Sequence, residues 1–444
     1  MIPVLSPEEM RAVDAAAAEP IEVLIGRAGW AVADCARRLL GGTYGKRVAV
    51  FAGKGNNGAD GRVGAALLTR WGVRCELLGP TDRLPTGRAF DLVIDACYGT
   101  GFHGEFVAPD VGTVPVLAVD IPSGVDGLTG EIRGRAMTAV ATLCFAAPKP
   151  GNLLAGAVGG DLVVCDLGLE LPHSSAALAQ ASDLLRWPSR PTDHHKWQSA
   201  IRVVGGHRRG PGAPTLAAHG AARAGASYVQ FAVPGAPDLN GPIESVTVDA
   251  EAPIDKRLRC LVVGPGLPVS PQAATLVSSI LADGGSQPIV LDAGGLSAIA
   301  SRLDEVAAST HPIVMTPHDG EYRQLMGRDP GYDRTSAARA LAAQAEAIVL
   351  LKGPVTIAAS PAGEVVYSCA GDQRLATAGS GDVLSGVIGA AIAQGIPPFD
   401  AAWLATELVG RSLDQAPRAG VTASDLPSFV AGYLAAQAPK GGGR

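Results

Sequence analysis

The stretch RVAVFAGKGNNGADGRVGAALLTRW, residues 47–71, decides the fold of the first half of the chain. An apolar run over residues 47–53 leads into the glycine-rich segment GKGNNGADG, and a helical pattern follows from Asp60 to Trp71. A buried strand, a tight turn and a helix in this order begin a doubly wound α/β fold. The segment matches neither G-x-G-x-x-G nor G-x-x-x-x-G-K-[ST], which disfavours an ordinary dinucleotide fingerprint or phosphate-binding loop.

The same alternation extends to both sides of this stretch. The helical pattern over residues 8–40 precedes it, in one or two pieces, and the further apolar runs are VRCELLG (73–79), FDLVIDA (90–96), VPVLAVD (114–120), TAVATLCFA (138–146) and DLVVCDLG (161–168). Continuous runs of Val, Leu and Ile are typical of strands that are covered on both faces. We therefore predict a parallel, Rossmann-like, doubly wound sheet.

The alternation stops over residues 171–200, where three prolines and many Ser and Ala predict a linker. It resumes with the apolar runs AIRVVGG (200–206), SYVQFAVP (227–234), CLVVGPG (260–266), PIVLDAG (288–294), PIVMTPH (312–318) and AIVLLKG (347–353), and three helical patterns follow Ser380. A chain of 444 residues exceeds one ordinary core. We expect two α/β domains, residues 1–188 and 189–444.

Composition narrows the class of protein. The chain is 47% apolar and 18% charged, which argues against extended disorder, and its net charge of −6 argues against a nucleic-acid partner. Seven cysteines without a C-x-x-C pair fit a reducing compartment. Glu8 and Glu9 interrupt any signal peptide, and the longest apolar runs are too short to cross a bilayer. We expect a cytoplasmic homo-oligomer with no membrane partner.

Three polar, glycine-rich loops follow three successive strands of the first half. They are GKGNNGADG (53–61), DACYGTGFHGE (95–105) and DIPSGVDGLTG (120–130). Because the carboxyl ends of parallel strands lie on one edge of a sheet, these loops should meet in one crevice. Asn57, Asp95 and Ser123 could then offer oxygen ligands to a hard cation. For the first loop alone, an Asn-Gly turn with a helix N-cap is the alternative.

These motifs, together with APKPGNL (147–153), resemble the motif series of the NAD(P)H-hydrate epimerases. The family usually has Gly where Ala59 stands. The resemblance implies a K⁺ ion held by Asn57, Asp95 and Ser123. It also implies substrate contacts from Asn56, Asn57, Gly58, Ala59, Asp60, Gly99, Thr100, Gly101, Phe102, His103, Gly104, Glu105 and Asp120.

The resemblance further implies an acid/base pair, Asp120 and Lys149, because a C6 carbinolamine epimerises through loss and return of its hydroxyl. Taken alone, Lys149 would be a surface lysine. Its Pro-Lys-Pro-Gly turn, however, follows a strand and lies on the same edge of the sheet as the three loops, which makes it a candidate site residue.

The segment ATAGSGDVLSG, residues 376–386, is the strongest motif of the second half. Its glycines precede an apolar helix that should begin near Asp382, and a helix N-terminus offers N–H groups to a phosphoryl group. Asp382 could act as a base for a substrate hydroxyl, or simply cap the helix. KGPVT (352–356) places an ammonium, amides and a hydroxyl where nucleotide phosphates could bind.

Together with TPHDGE (316–321) and GPGL (264–267), these motifs resemble the ribokinase-like NAD(P)H-hydrate dehydratases over roughly residues 197–416. The resemblance implies ADP as the phosphoryl donor, Mg²⁺ on its phosphates, and Asp382 as the base. His318 could alternatively be an ordinary helix N-terminal residue. The implied substrate contacts are Ala213, Gly266, His318 and Asp382, and the implied nucleotide contacts are Lys352, Gly353, Pro354, Val355, Thr356 and Gly381.

Three positions of the second half depart from this family. His207 stands where Ser is common, Gly294 replaces a second Asp, and Val409 replaces a common His. These departures concern details of the nucleotide and metal site.

The two resemblances together predict a bifunctional repair enzyme. It would interconvert the R and S forms of NADHX and NADPHX and dehydrate the S form with ADP. The alternatives are a small-molecule kinase of the hydroxyethylthiazole or hydroxymethylpyrimidine type and a non-enzymatic dinucleotide-binding protein. The epimerase-like half disfavours the kinase, and the retained Asp120, Lys149 and Asp382 disfavour the non-enzymatic protein.

Overall fold

The computed structural model describes residues 1–437. It divides into two compact units, the first comprising Ile2–Ala176 and the second comprising Met1 and the chain from Ala177 onward. Within the described residues, no helix has the length and apolar character needed to cross a membrane. All seven cysteines are free.

The first unit contains a six-stranded parallel sheet in the order β3-β2-β4-β6-β8-β9. Strands β5 and β7 form a separate pair. The bounds of the strands and helices are β1 (Ile2–Pro3), α1 (Pro7–Ala16), α2 (Ile21–Leu39), β2 (Arg47–Ala52), α3 (Asn56–Arg70), β3 (Arg74–Leu78), β4 (Leu92–Ala96), β5 (Phe106–Val107), β6 (Val116–Val119), β7 (Gly134–Arg135), β8 (Ala141–Phe145), α4 (Pro150–Leu154) and β9 (Asp161–Cys165).

Both faces of this sheet are covered, which confirms the doubly wound prediction. One buried cluster joins Val32 of α2 and Leu68 of α3 to Ile94 of the sheet. A second cluster, around Phe51 and Phe106, covers the other face. The strand order reverses between β2 and β4, because β3 lies on one side of β2 and β4 on the other. A crevice opens at the carboxyl ends of the strands at such a switch point.

Helix α3 begins at Asn56, four residues before the expected start near Asp60. A Cβ added at Gly58 would lie 1.9 Å from the carbonyl oxygen of Gly53, so the absence of a side chain there lets the helix close directly onto its turn. Asn56 and Asn57 therefore lie in the first helical turn and not in a loop.

The second unit contains a larger sheet in the order β10-β19-β18-β17-β16-β15-β14-β11-β12-β13. Neighbouring strands are parallel from β13 to β17, and β18 is antiparallel to both β17 and β19. The bounds are β10 (Ala176–Leu178), β11 (Ala200–Val204), α5 (Gly212–Ala224), β12 (Tyr228–Ala232), β13 (Ser245–Thr247), β14 (Cys260–Val263), α6 (Pro271–Leu281), β15 (Ile289–Leu291), α7 (Gly294–Ala298), α8 (Leu303–Ala307), β16 (Ile313–Met315), α9 (Asp319–Met326), α10 (Arg334–Ala345), β17 (Ile348–Leu351), β18 (Thr356–Ala359), β19 (Val365–Ser368), α11 (Ser380–Ala393), α12 (Pro398–Ser412) and α13 (Leu426–Gln437).

Helices α5 and α11 pack closely in the second unit because glycines face backbone at their contact. A Cβ at Gly386 would lie 1.9 Å from the Ala217 carbonyl oxygen, and one at Gly220 would lie 2.6 Å from the Val383 carbonyl oxygen. Helix α11 also packs on β11, β14 and β15. This packing fixes the position of the helix start, where Asp382 lies.

The prediction of a linker over residues 171–200 is wrong for its middle part. This part contains β10 and a 3₁₀ helix, Ala181–Arg186. The Ala179 amide donates a hydrogen bond of 2.9 Å to the Tyr367 carbonyl, and Leu184 is buried in the core of the second unit. Residues 177–188, which we expected in the first domain, therefore belong to the second unit.

Candidate active sites

The loops after β2, β4 and β6 of the first unit converge on a pocket of about 510 Å³. Ten of the residues predicted for this site line it: Asn56, Asn57, Asp60, Gly99, Thr100, Gly101, Phe102, His103, Asp120 and Lys149. Six others do not appear in its lining: Gly58, Ala59, Asp95, Gly104, Glu105 and Ser123. Asp14 of α1 also lines the pocket, although no sequence pattern marked it.

An ion pair joins Asp120 to Lys149 in this pocket. The Lys149 Nζ lies 2.8 Å from Asp120 Oδ1, and only 2% of Lys149 is exposed. The backbone amide and the hydroxyl of Thr100 donate hydrogen bonds of 2.8 and 3.0 Å to Asp120 Oδ2. Burial alone would raise the pKa of Asp120, but Lys149 and Thr100 hold that pKa below its ordinary value. Asp120 is therefore an ionised carboxylate at neutral pH.

The pKa of Asp60 is shifted in the opposite direction from that of Asp120. It is 6% exposed, and burial followed by the like charges of Asp120 and Asp14 raises its pKa to about 8. Two carboxyl groups of one pocket thus differ in protonation at neutral pH, which is a common arrangement in acid/base sites.

The three proposed cation ligands share a buried, oxygen-rich environment. Asp95 is fully buried and accepts hydrogen bonds from the Ser123 hydroxyl at 2.6 Å and the Ser123 amide at 2.9 Å. Burial raises the pKa of Asp95, a shift that a bound cation would oppose. Both polar side-chain atoms of Asn57 are buried without a hydrogen-bond partner. A carboxylate, a hydroxyl and an unpaired amide oxygen fit a K⁺ ion.

In the second unit, Lys352 lies beside two carboxylates, those of Asp292 and Glu321, and its charge also interacts with that of Asp382. The Nζ of Lys352 lies 2.9 Å from Asp292 Oδ1 and 3.7 Å from Glu321 Oε2. Asp292 is 1% exposed and also accepts a hydrogen bond of 2.7 Å from the Thr316 hydroxyl. A Cβ added at Gly381 would lie 3.4 Å from the same Nζ, which places the ammonium beside the start of α11.

This environment shifts the pKa of Asp382 toward neutral pH. Burial raises its pKa to about 7, the charge of Asp292 and that of Glu321 act in the same direction, and Lys352 opposes them. A carboxyl group with a pKa near the working pH is suited to remove a proton from a substrate hydroxyl. Glu321 was not among the predicted site residues; its signal was its place in the TPHDGE motif, three residues after His318.

His318 is the N-cap of α9, as its alternative interpretation predicted. Its Nδ1 accepts hydrogen bonds from the amides of Gly320 at 2.9 Å and Glu321 at 3.2 Å, and the Glu321 carboxylate accepts one of 2.9 Å from the His318 amide. The His318 side chain is 60% exposed and its Nε2 lies 3.7 Å from Glu321 Oε1, so a ligand would reach the imidazole from its exposed side.

The other predicted contacts lie in two places. Ala213 and Gly266 are neighbours, since a Cβ at Gly266 would lie 2.9 Å from the Ala213 Cβ. KGPVT forms the turn between β17 and β18, and Arg334 donates a hydrogen bond of 2.8 Å to the Lys352 carbonyl. The Lys352 ammonium itself reaches Asp292, which follows β15.

Models of known protein families match parts of both units. A family model described as NAD(P)H-hydrate dehydratase matches residues 201–432. A model described as YjeF-related protein N-terminus matches residues 21–85 and 80–151.

Relatives that align with nearly the whole chain share one name. The chain is 37% identical over 433 residues to the bifunctional NAD(P)H-hydrate repair enzyme Nnr of Mycobacterium tuberculosis, with 89% of this chain and 90% of the relative covered. It is 31% identical over a 523-position alignment to the protein of that name from Salinibacter ruber, with 99% and 96% covered.

Solved structures match the second part of the chain. The ADP/ATP-dependent NAD(P)H-hydrate dehydratase of Bacillus subtilis, co-crystallised with ATP and Mg²⁺, is 25% identical with a TM-score of 0.52, covering 58% of this chain and 97% of its own. A ribokinase-like superfamily protein of Enterococcus faecalis, 21% identical with a TM-score of 0.51, shares the fold over 60% of this chain and 98% of its own.

Proposed function

Since this chain belongs to the family of bifunctional NAD(P)H-hydrate repair enzymes, we propose that its first unit epimerises R and S NADHX and NADPHX, and that its second unit dehydrates the S form. ADP is the phosphoryl donor of the proposed reaction and leaves as AMP. The observation that carries the proposal is the pairing of two sites in one chain. One has an ionised Asp120–Lys149 pair, and the other has a near-neutral Asp382 at a helix start. We place the enzyme in the cytoplasm as a homo-oligomer.

In the proposed epimerisation, the C6–O bond breaks as the N1 lone pair forms a C6=N1 bond, and the departing oxygen takes a proton. Water then adds to the other face of C6 and gives up a proton. Asp120 is the base of this cycle, because Lys149 and Thr100 keep it ionised. Asp60 carries a proton at neutral pH and can supply it to the departing oxygen.

A K⁺ ion would be held by Asn57, Asp95 and Ser123. When bound, it would supply positive charge beside a buried carboxylate and a partner for the Asn57 amide oxygen. A Cβ at Gly99 would lie 2.6 Å from Asp120 Oδ2 and 3.6 Å from Asn57 Cγ, so Asn57 borders the reacting carboxylate. The Asn57 side chain therefore forms the side of the pocket next to the Asp120 carboxylate.

In the proposed dehydration, Asp382 removes the proton of the C6 hydroxyl, and that oxygen takes the terminal phosphoryl group of ADP. Phosphate then leaves from C6 and the C5 proton is lost, which restores the dihydropyridine. The N–H groups at the start of α11 would bind the phosphoryl group, with Lys352 beside them.

The carboxylates near Lys352 are candidate ligands for Mg²⁺. No group of three or more His, Cys, Asp or Glu side chains suited to a metal occurs within residues 1–437. This fits a Mg²⁺ ion that is bound mainly through nucleotide phosphates, with one or two carboxylates. Glu321, whose Oε2 lies 3.7 Å from Lys352 Nζ, would supply one such carboxylate. The ion would neutralise phosphate charge.

The test adds purified protein to acid-made NADPHX epimers with ADP. Return of NADPH absorbance and formation of AMP report dehydration, and chromatography of the R and S forms reports epimerisation. The Asp382→Asn variant should lose NADPH recovery while epimer exchange continues. A phosphorylated product without NADPH would favour the small-molecule kinase instead. An absence of both activities from folded protein would refute the proposal.

A further inference from the structure

Asn152 connects the backbones of the two members of the Asp120–Lys149 pair. Its Nδ2 donates a hydrogen bond of 2.7 Å to the Asp120 carbonyl oxygen, and its Oδ1 accepts one of 2.8 Å from the Lys149 amide. The side chain is 8% exposed and belongs to the short helix α4. One amide group thus holds two chain segments that follow different strands.

Helix α4 is itself held firmly against the loop after β6. The Gly151 amide donates a hydrogen bond of 2.9 Å to the Gly127 carbonyl, and a Cβ at Gly151 would lie only 2.2 Å from the Asp126 carbonyl oxygen. Asn152 is therefore presented to Asp120 from a fixed position.

The backbone of Asp120 requires such support. Its φ of +67° lies in the left-handed region, which a non-glycine residue keeps only where its surroundings impose it. The Asp120 amide donates a hydrogen bond of 2.7 Å to the Leu143 carbonyl, and Asn152 holds its carbonyl. Both sides of the strained residue are thus fixed by hydrogen bonds.

This backbone geometry directs the Asp120 carboxylate. With its peptide groups held, one carboxylate oxygen meets Lys149 Nζ at 2.8 Å and the other meets the Thr100 donors. Release of the carbonyl would let the residue relax toward negative φ, which would turn the carboxylate away from both partners. Displacement of a reacting group by about 1 Å can cost about a hundredfold in rate.

We propose that Asn152 is a positioning residue for epimerisation, which holds the reactive orientation of Asp120 through the Asp120 carbonyl. This inference rests on the proposed function of the first unit. Asn152 acts through Asp120 and not by contact with the substrate.

The experiment measures kcat and KM of epimer exchange for the full chain and two variants, Asn152→Ala and Asn152→Asp. We expect kcat to fall about ten- to a hundredfold in both, with KM within about threefold of wild type. Asn152→Asp retains an oxygen acceptor for the Lys149 amide but loses, when ionised, the donor for Asp120. If Asn152 merely caps α4, Asn152→Asp keeps its activity, and the inference is overturned.

A matched control is Thr142→Val, which removes a buried hydrogen bond of 2.6 Å to the Gly159 carbonyl in the same unit. It should lower the melting temperature, as Asn152→Ala does through its two lost hydrogen bonds, but leave kcat unchanged. An equal loss of kcat in the control would show that general destabilisation explains the effect, and this too overturns the inference. If wild type lacks exchange altogether, the proposed function fails first, and the inference falls with it.

Discussion

The protonation of Asp382 predicts the pH dependence of dehydration. With a pKa of about 7, this carboxyl is about one tenth ionised at pH 6 and about nine tenths ionised at pH 8. Because kcat/KM reports ionisation of the free enzyme, it should rise about tenfold over this interval. An aspartate at the ordinary value of 3.8 would be ionised throughout and would give a flat profile.

Two variants should move this profile in opposite directions. Glu321→Gln removes a like charge that raises the pKa of Asp382, so its midpoint should shift to lower pH. The glutamine keeps an oxygen that can accept the hydrogen bond from the His318 amide. Lys352→Met removes the opposing ammonium, so the midpoint should shift to higher pH, whatever its effect on nucleotide binding.

The same pKa has a consequence for stability. A carboxyl whose pKa is raised in the folded state stabilises the fold when it is protonated. This contribution is full at any pH below the pKa of the unfolded chain, and it is lost as the pH rises through about 7. Asp382→Asn should therefore melt at a higher temperature than wild type at pH 8, and near the wild-type temperature at pH 4.

The assay is initial-rate NADPH recovery from S-NADPHX between pH 5.5 and 8.5, the lower and upper limits chosen about 1.5 units from the pKa. Each variant is compared at its own saturating ADP. A wild-type profile that is flat across this range, or a midpoint that shifts in the same direction in Glu321→Gln and Lys352→Met, would refute the base assignment.

Three further predictions follow from other parts of the structure. Epimer exchange should be faster in K⁺ than in Na⁺ buffer, and Asp95→Ala should abolish the difference; equal wild-type rates would contradict the cation site. Gly294→Ala should destabilise the protein by about 1–3 kcal/mol, because its Cβ would lie 2.2 Å from a backbone oxygen. Gly212→Ala, with open space around the new Cβ, is the control for thermal melting. A fragment of residues 172–444 should melt above one of residues 189–444, because the longer one keeps β10 and the buried Leu184; identical melting curves would contradict this.

The main strands could be predicted because each is a continuous apolar run, and such runs are typical of parallel strands buried on both faces. The hairpin β18–β19 and the three-residue strands β10 and β13 were not predicted. Their short sequences gain strand structure from the neighbour with which they pair, as the Ala179–Tyr367 hydrogen bond shows. Propensity and periodicity do not contain that tertiary contribution.

The convergence of the loops could also be predicted, because it follows from parallel topology alone. The partners of the reactive groups could not. Lys352 pairs with Asp292, a residue 60 positions away, and Asn152 reaches a carbonyl 32 positions away. The left-handed φ of Asp120 has only a weak sequence signal, since aspartate adopts this region more often than most residues but still does so at few of its positions. These details depend on how the strand ends are brought together.

The departure at Gly294 changes the shape of the second site as well as its charge. A Cβ there would meet the Leu267 carbonyl oxygen at 2.2 Å, so the GPGL loop occupies the space that a second aspartate would need. Asp292 remains, held between Thr316 and Lys352. Burial is the largest cause of the raised pKa of Asp382, the charges of Asp292 and Glu321 add to it, and Lys352 opposes them. Loss of a supporting hydrogen bond typically costs about 1 kcal/mol, whereas loss of the base would cost orders of magnitude in rate. The groups on which the proposed proton transfer depends are therefore the ones that this chain has kept.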